Sequence, residues 1–302
     1  GLERSIDDVD PNDIASFSIL KDASATAVYG LEGANGIIVI TTKTGKISEK
    51  PSVNMSISSS VNNATFKPYW IDAVKYAQMR NEAFAVRGKE KPYSDEIIKK
   101  FGDNDMDFYP NVDWYNALYK PNNLSHRGNF NIGGGGNVVT YYMSGGYYIE
   151  DGMFKGNLQS YNSNAKYNQF NFRSNLKADI SPTTTLGLGF DGRYNTTTEP
   201  GQGTDQILNI INEINPTLFP TQYSNGTAPE EPADVKNAFS MVNKTGFTRG
   251  YSNVMNTNLN ITQKLDFLLK GLFFNGIASF TKINNYTHQY IKDYQKPRPD
   301  FA

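Results

Sequence analysis

Cysteine is absent from the 302 residues, which excludes disulfides and thiolate metal sites. Histidine is nearly absent. Only His126 and His288 occur, far apart in sequence, which argues against a zinc site. Neither sign of charge dominates: Lys+Arg is 29, Asp+Glu is 30 and the net charge is -1. That balance gives no reason to expect nucleic acid or strong electrostatic attraction to a membrane surface. Long apolar runs are missing too. None approaches the ~18 residues of a membrane-spanning helix, so a helical membrane protein is excluded. A membrane β-barrel is not excluded by the mean hydropathy of -0.53, because barrel strands alternate apolar and polar residues. Aromatic residues are abundant, with 19 Tyr and 18 Phe, as the interface girdles of such a barrel require.

Signatures of catalysis and cofactor binding are also lacking. No nucleophile elbow supports a Ser-His-Asp triad. Gly133-Gly134-Gly135-Gly136 precedes a strand pattern rather than a helix, so it is not a phosphate loop. Asp103, Asp105 and Asp107 have Ca²⁺-like spacing, but Phe108 and Trp114 stand where an EF-hand loop needs Gly and Glu. A solvated acidic loop is the better reading, and an irregular Ca²⁺ site stays open. Asn-x-Ser/Thr triplets such as Asn63-Ala64-Thr65 are expected by chance in an Asn-rich chain. No catalytic residue, cofactor or metal is expected.

What is present is organised around 19–43. Ile14 to Leu20 reads as a strand. Asp22 is placed to cap a short helix over Ala23 to Tyr29. Gly30, Gly33 and Gly36 follow at three-residue spacing, where positive φ is available. Their spacing is not that of a dinucleotide-binding loop. Ile37 to Ile40 is an unbroken β-branched run, which predicts a strand buried on both faces. A polar linker near Gly45 to Pro51 suggests a boundary, with one unit over 1–47 and another over 48–302.

The second unit is a series of period-two segments at Ser52–Asn62, Ser125–Ile132, Val138–Glu150, Gln169–Ile180, Thr185–Asn195 and Tyr251–Gln263. In Gln169–Ile180, Phe170, Phe172, Leu176 and Ile180 oppose Asn171, Arg173, Asn175 and Asp179. Leu265 to Lys282 reads as a further strand of ambiguous phase. Period two means one wet face and one apolar face. The apolar face meets a second sheet in a soluble sandwich and lipid in a barrel. Alternation alone does not separate the two.

The connections do. Short links at Gly133–Asn137, Ser181–Thr183 and Gln263–Lys264 alternate with long ones at Asn63–Leu124, Asp151–Lys166 and Thr196–Gly250. Outer-membrane barrels alternate in this way because their periplasmic turns are short and their extracellular loops long. On the barrel reading, Arg127, Arg173, Asp191 and Arg193 face the lumen. Helices are expected in the long links at Asp72–Ala85, Ser94–Gly102 and Asp205–Asn215. The last carries an Ile207, Leu208, Ile210, Ile211 and Ile214 stripe that other loops or a partner must cover. Tyr69, Trp70, Trp114 and Tyr115 are candidate stacking contacts for a substrate or partner. Loop packing is the favoured alternative.

Lys21-Asp22-Ala23-Ser24-Ala25-Thr26-Ala27-Val28-Tyr29-Gly30, followed by Gly33-Ala34-Asn35-Gly36 and the Ile37–Ile40 run, resembles the end of the plug domain of SusC-like TonB-dependent outer-membrane transporters. Asn81-Glu82-Ala83, Asp113-Trp114-Tyr115 and Val139–Tyr147 carry the likeness onward, to about Tyr194. Where that branch usually has Ser-Arg, this sequence has Leu31-Glu32, so the family's Arg contact lacks its residue here. The resemblance implies an all-β membrane protein: an antiparallel transmembrane barrel of ~22 strands in the whole protein, plugged by an N-terminal α+β domain. On that view, Gly1 begins partway into the plug and the chain is a piece of a longer protein. The resemblance implies import of a glycan or peptide with a SusD-like lipoprotein lid, driven by the TonB–ExbBD complex, in the outer membrane. It makes Lys21, Asp22, Ser24, Tyr29, Gly30, Gly33, Asn35 and Gly36 the plug signature. Lys21, Asp22 and Glu32 are expected either to bond the inner wall or to solvate the plug's rim. The alternatives are a siderophore- or vitamin-type receptor without a lid and a soluble β-sandwich adhesin or carbohydrate-binding protein. The Ala-Ser-Ala-Thr-Ala spelling weighs against the receptor alternative, and detergent dependence distinguishes the sandwich.

Overall fold

The computed structural model describes residues 9–21, 36–65, 67, 69–103, 105–156, 163–231 and 235–294. A short antiparallel ribbon, β1 (Ile14–Leu20) and β2 (Ile37–Thr42), comes first. A 3-10 turn at Pro11–Asp13 leads into it, with the Asp10 side chain capping the Asn12 N–H. Seven strands then form one antiparallel meander: β3 (Ser48–Asn62), β4 (Asn123–Gly135), β5 (Val139–Asp151), β6 (Lys166–Ser181), β7 (Thr184–Pro200), β8 (Gly246–Lys264) and β9 (Phe273–Ile291). Each pairs with its sequence neighbours in the order β3 to β9. Among the described residues no helix is long and apolar enough to cross a membrane.

Each period-two segment falls inside a strand, apart from Val138, which lies in the turn ahead of β5. The strands outrun the apolar pattern, because the backbone ladder continues where side chains are polar: Thr196–Glu199 still pairs with Thr248–Tyr251. Two expectations need correcting. The last strand begins at Phe273, and 265–272 is a turn closed by a Leu265 N–H bond to the Leu272 carbonyl at 2.8 Å. Leucine content read as strand there, whereas Gly271 at φ 84° closes a turn. Ile37–Thr42 is not buried on both faces among the described residues: Ile38 is 57% exposed, since β2 has one strand partner, β1. Gly36 takes φ 89° as its spacing suggests. The helix expected over Ala23–Tyr29 lies outside the described residues.

The three long connections fold together at one end of the sheet. Helix α1 (Ala73–Val86) is capped by Asp72 and α2 (Asp95–Lys100) by Ser94, each within a residue or two of expectation. α3 (Trp114–Leu118), α4 (Thr204–Glu213) and α5 (Ala238–Lys244) complete the set. The apolar stripe of α4 is covered by other loops. Ile207, Ile211 and Ile214 pack with Trp114, Leu118, Phe154, Phe219, Met241 and Val242 in one buried cluster. A smaller cluster joins Ala73 and Ala77 of α1 to Phe101.

Candidate functional site

The strand registers place one polar residue of every strand on a single rung of one face. Asn54 is opposite Asn131, Asn131 opposite Ser144, and Ser144 opposite Arg173. Arg173 is opposite Asp191, Asp191 opposite Asn256, and Asn256 opposite Thr281. Directly paired side chains on one face lie close enough to bond, and most here do. Asn54 donates to Asn131 at 3.0 Å, Asn256 to Asp191 at 2.9 Å and Thr281 to Asn256 at 2.9 Å. Arg173 Nη1 stands 3.7 Å from Asp191 Oδ1. The neighbouring rung points the other way and holds Met55, Phe130, Gly145, Phe172, Gly192 and Met255, with the exposed Lys282 at its β9 end. The alternation of strand side chains thus turns a period-two sequence into a polar inner belt and an apolar outer one.

The 3-10 turn sits on the inner belt. Asp13, 2% exposed, accepts the Tyr142 hydroxyl at 2.9 Å and the Ser144 hydroxyl at 2.8 Å. Its Oδ2 lies 3.6 Å from Arg173 Nε. Asn171 donates to Asp10 at 3.2 Å. Gly146 makes room for this: a Cβ there would stand 2.7 Å from Asp10 Oδ2. The end of β2 is tied in as well. Asn175 donates to the Lys43 carbonyl at 2.9 Å and Arg173 Nη1 to Thr42 Oγ1 at 3.4 Å. Lys43 Nζ returns to the Asn12 carbonyl at 2.7 Å. Arg173 therefore lies between two carboxylates, and its charge offsets part of their burial. Beside this junction a cavity of about 650 Å³ runs along the short-turn side, lined by Thr42, Gly45, Asn175, Lys177, Asp179 and Asn260.

The residues singled out from sequence fall in three places. Arg173 and Asp191 are in the junction. Arg127 lies on the same face but stacks over the Tyr148 ring at 4.9 Å, and Arg193 is half-buried two residues from Asp191. Lys21 is exposed, and Asp22, Ser24, Tyr29, Gly30, Glu32, Gly33 and Asn35 lie outside the described residues. The described segment meets the wall through Asp10 and Asp13, not Lys21. Neither is among the site residues expected from sequence. Their signal was an acid pair around Pro11-Asn12 just ahead of a strand. In the loops, Trp114 is 3% exposed, edge-on to Phe219 at 5.8 Å. Tyr115 is stacked on Tyr119 at 4.5 Å. Trp70 is half-buried against the cluster, while Tyr69 is 84% exposed. Burial raises the Tyr119 phenol to about 12, with Tyr115 adding to it. In the acidic stretch, Asp107 accepts the Ser224 N–H and hydroxyl at 2.9 and 2.6 Å, and Asn104 lies outside the described residues.

No family model matches the chain. Among curated proteins it is 33% identical over 196 residues to "TonB-dependent receptor P26" of Formosa agariphila, covering 64% of this chain and 18% of that protein. It is 28% identical over 182 residues to "TonB-dependent receptor SusC" of Bacteroides thetaiotaomicron, covering 60% of this chain and 17% of that one. The chain thus spans under a fifth of the length of these relatives. In fold it is similar to the "RagAB peptide importer in the 'closed-closed' state", with TM-score 0.73 and 21% identity over 95% of this chain and 34% of that one. The 'open-open' state of the same importer gives 0.72 at 20% identity. The seven-stranded meander is accordingly part of a plugged transmembrane β-barrel fold. In sequence the chain is similar to TonB-dependent receptors, SusC among them, and in fold it is similar to the RagAB importer.

Proposed function

We propose that the chain serves TonB-dependent import of a nutrient oligomer, a glycan or a peptide, across the bacterial outer membrane. In this reading 1–47 is the end of the plug and 48–302 the first strands of the barrel with their extracellular loops. The observation that carries it is the Asp13 turn, seated on a polar rung that crosses all seven strands. A plug must seal the barrel and yet release when pulled. Hydrogen bonds and ion pairs suit this, because water replaces them as they break. The work is gated passage and involves no catalytic residue. Arg173 and Asp191 hold the plug, and Arg127 and Arg193 line the lumen. The signature from Lys21 to Gly36 belongs to the plug. Trp114 and Tyr115 shape the loop that bears Tyr69 and Trp70, the two candidates for substrate or partner contact. The partners are a SusD-like lipoprotein over the long loops and TonB–ExbBD on the other side.

Topology tests the reading. In cells carrying the full-length transporter, cysteines at Lys89 and Gly226 should react with an impermeant maleimide, and one at Pro182 should not. The same transporter, purified from outer membranes, should bring down a surface lipoprotein identifiable by mass spectrometry. A reversed labelling pattern, or purification without any lipoprotein, overturns the assignment.

A further inference from the structure

The β8–β9 turn differs from the other two turns on its side of the sheet. Those are Gly136-Asn137-Val138 and Pro182-Thr183. The β8–β9 turn covers 265–272 and carries Phe267, Leu268 and Leu269 in succession, exposed by 78%, 68% and 67%. Scattered exposed apolar residues need no explanation, but three adjacent large ones at the tip of a turn do. The turn is firmly built. The Leu268 and Leu269 N–H groups donate to the Leu265 carbonyl at 2.9 and 3.2 Å, and the Leu272 N–H to Leu269 at 3.0 Å. The Gly271 N–H donates to Asp266 Oδ1 at 2.7 Å. Backbone groups satisfied within the segment are what entry into an apolar phase demands. Asp266 is thereby engaged inside the turn, and the exposed Lys264 and Lys270 are left as its outward charges.

We propose that this turn is a membrane anchor. Phe267, Leu268 and Leu269 insert into the phospholipid leaflet on the short-turn side, and Lys264 and Lys270 meet its phosphates. The inference rests on the outer-membrane reading above and extends it beyond the strands. Two observations favour lipid as the occupant. The apolar outer face of the sheet reaches to the turn with one polar residue, Gln263, on the last rung: Leu259 and Ile261 of β8 and Phe274 of β9, opposite Gln263, share that face by register. Apolar tips bracketed by lysines also match the chemistry of an anionic interface, where long cationic side chains reach headgroups from an apolar base. The anchor would fix the height of β8 and β9 in the bilayer, and with it the inner rung that Asn256 and Thr281 contribute.

The test uses the full-length transporter on a cysteine-free background, in vesicles of phosphatidylethanolamine and phosphatidylglycerol. Single cysteines Leu268→Cys, Leu188→Cys and Thr183→Cys carry an environment-sensitive fluorophore. Leu188 is on the outer face of β7 and Thr183 in the polar turn. The Leu268 probe should be blue-shifted and quenched by nitroxide-bearing lipid, like Leu188, and should escape aqueous iodide, which quenches Thr183. A Leu268 probe open to iodide overturns the anchor. So does one shielded from both quenchers, since protein then covers the turn. In both cases lipid quenching at Leu188 leaves the membrane reading standing. Loss of lipid quenching at Leu188 as well overturns both.

Discussion

The chain attaches segments to its sheet in two places, by opposite means. At the long-loop end, three connections close on a cluster of Trp114, Leu118, Phe154, Ile207, Met241 and Val242, nearly free of charge. Inside the sheet, the Asp13 turn is held by the hydroxyls of Tyr142 and Ser144 and by the charge of Arg173. Apolar burial is non-directional and tolerates small displacements. A buried ion pair does not, because displacing one partner strands the other. The loop end is therefore fit to stay folded as a unit, and the junction is fit to be either fully made or broken.

The largest effect should come from breaking the junction. Arg173→Met leaves the buried Asp13 and Asp191 without their shared cation, at a cost of about 3–5 kcal/mol. Hydrogen exchange of residues 9–21 in the full-length protein should rise sharply. β6 and β7 should stay protected, because their ladder does not need the guanidinium. Unchanged exchange at 9–21 would mean the hydroxyls of Tyr142 and Ser144 hold Asp13 unaided.

The loop cluster should fail in the opposite pattern. Leu118 is 0% exposed, and Leu118→Ala should cost about 2–5 kcal/mol through lost burial and a residual cavity. Exchange should rise in α3, α4 and α5 together, while the Asp13 turn keeps its protection. Coupled loosening of both regions would erase the distinction drawn here.

Much of the wall was legible in the sequence and much of the junction was not. Period two assigns Phe172 and Arg173 to opposite faces, and the short turns pair the strands in order. Length of chain between strands marked the loop end, and the Ile stripe of α4 announced a cluster. What the sequence does not display is register. Nothing in Asn54, Ser144 or Thr281 alone says that they stand on one rung with Arg173. That follows only from six consecutive pairings, each able to slip by a residue. Asp10 and Asp13 were hidden for a related reason, since their partners are more than a hundred positions away. The 265–272 turn was misread because leucine and phenylalanine serve a strand or an exposed tip equally well.

The wall's own two faces give the next test. Phe172→Arg places a charge on the apolar belt and should disfavour insertion by about 2–4 kcal/mol near the bilayer midplane. Arg173→Phe should leave assembly intact and affect only the junction. Heat-modifiable migration of the full-length barrel reports assembly in both variants. Equal defects would mean that the phase of β6 is reversed.

The smallest effect probes how dry the loop cluster is. Tyr119 is 9% exposed, stacked on Tyr115 and tilted against Phe154 at 5.3 Å. Burial, then the neighbouring Tyr115, raises its phenol from 10.0 to about 12. The folded loops thus favour the neutral phenol more than the unfolded chain does. Their stabilisation by this residue is complete below pH 10.0 and is lost as the pH climbs through about 12. Tyr119→Phe should cost under about 1 kcal/mol at neutral pH, since it keeps the ring and removes one hydroxyl. The informative reading is a difference titration. Phenolate absorbance of the parent protein minus that of Tyr119→Phe isolates one tyrosine, and its midpoint should stand near 12. A midpoint at the ordinary value would place water against the ring. The loops would then be held as wetly as the junction, and the contrast between the two attachments would rest on Arg173 and its carboxylates alone.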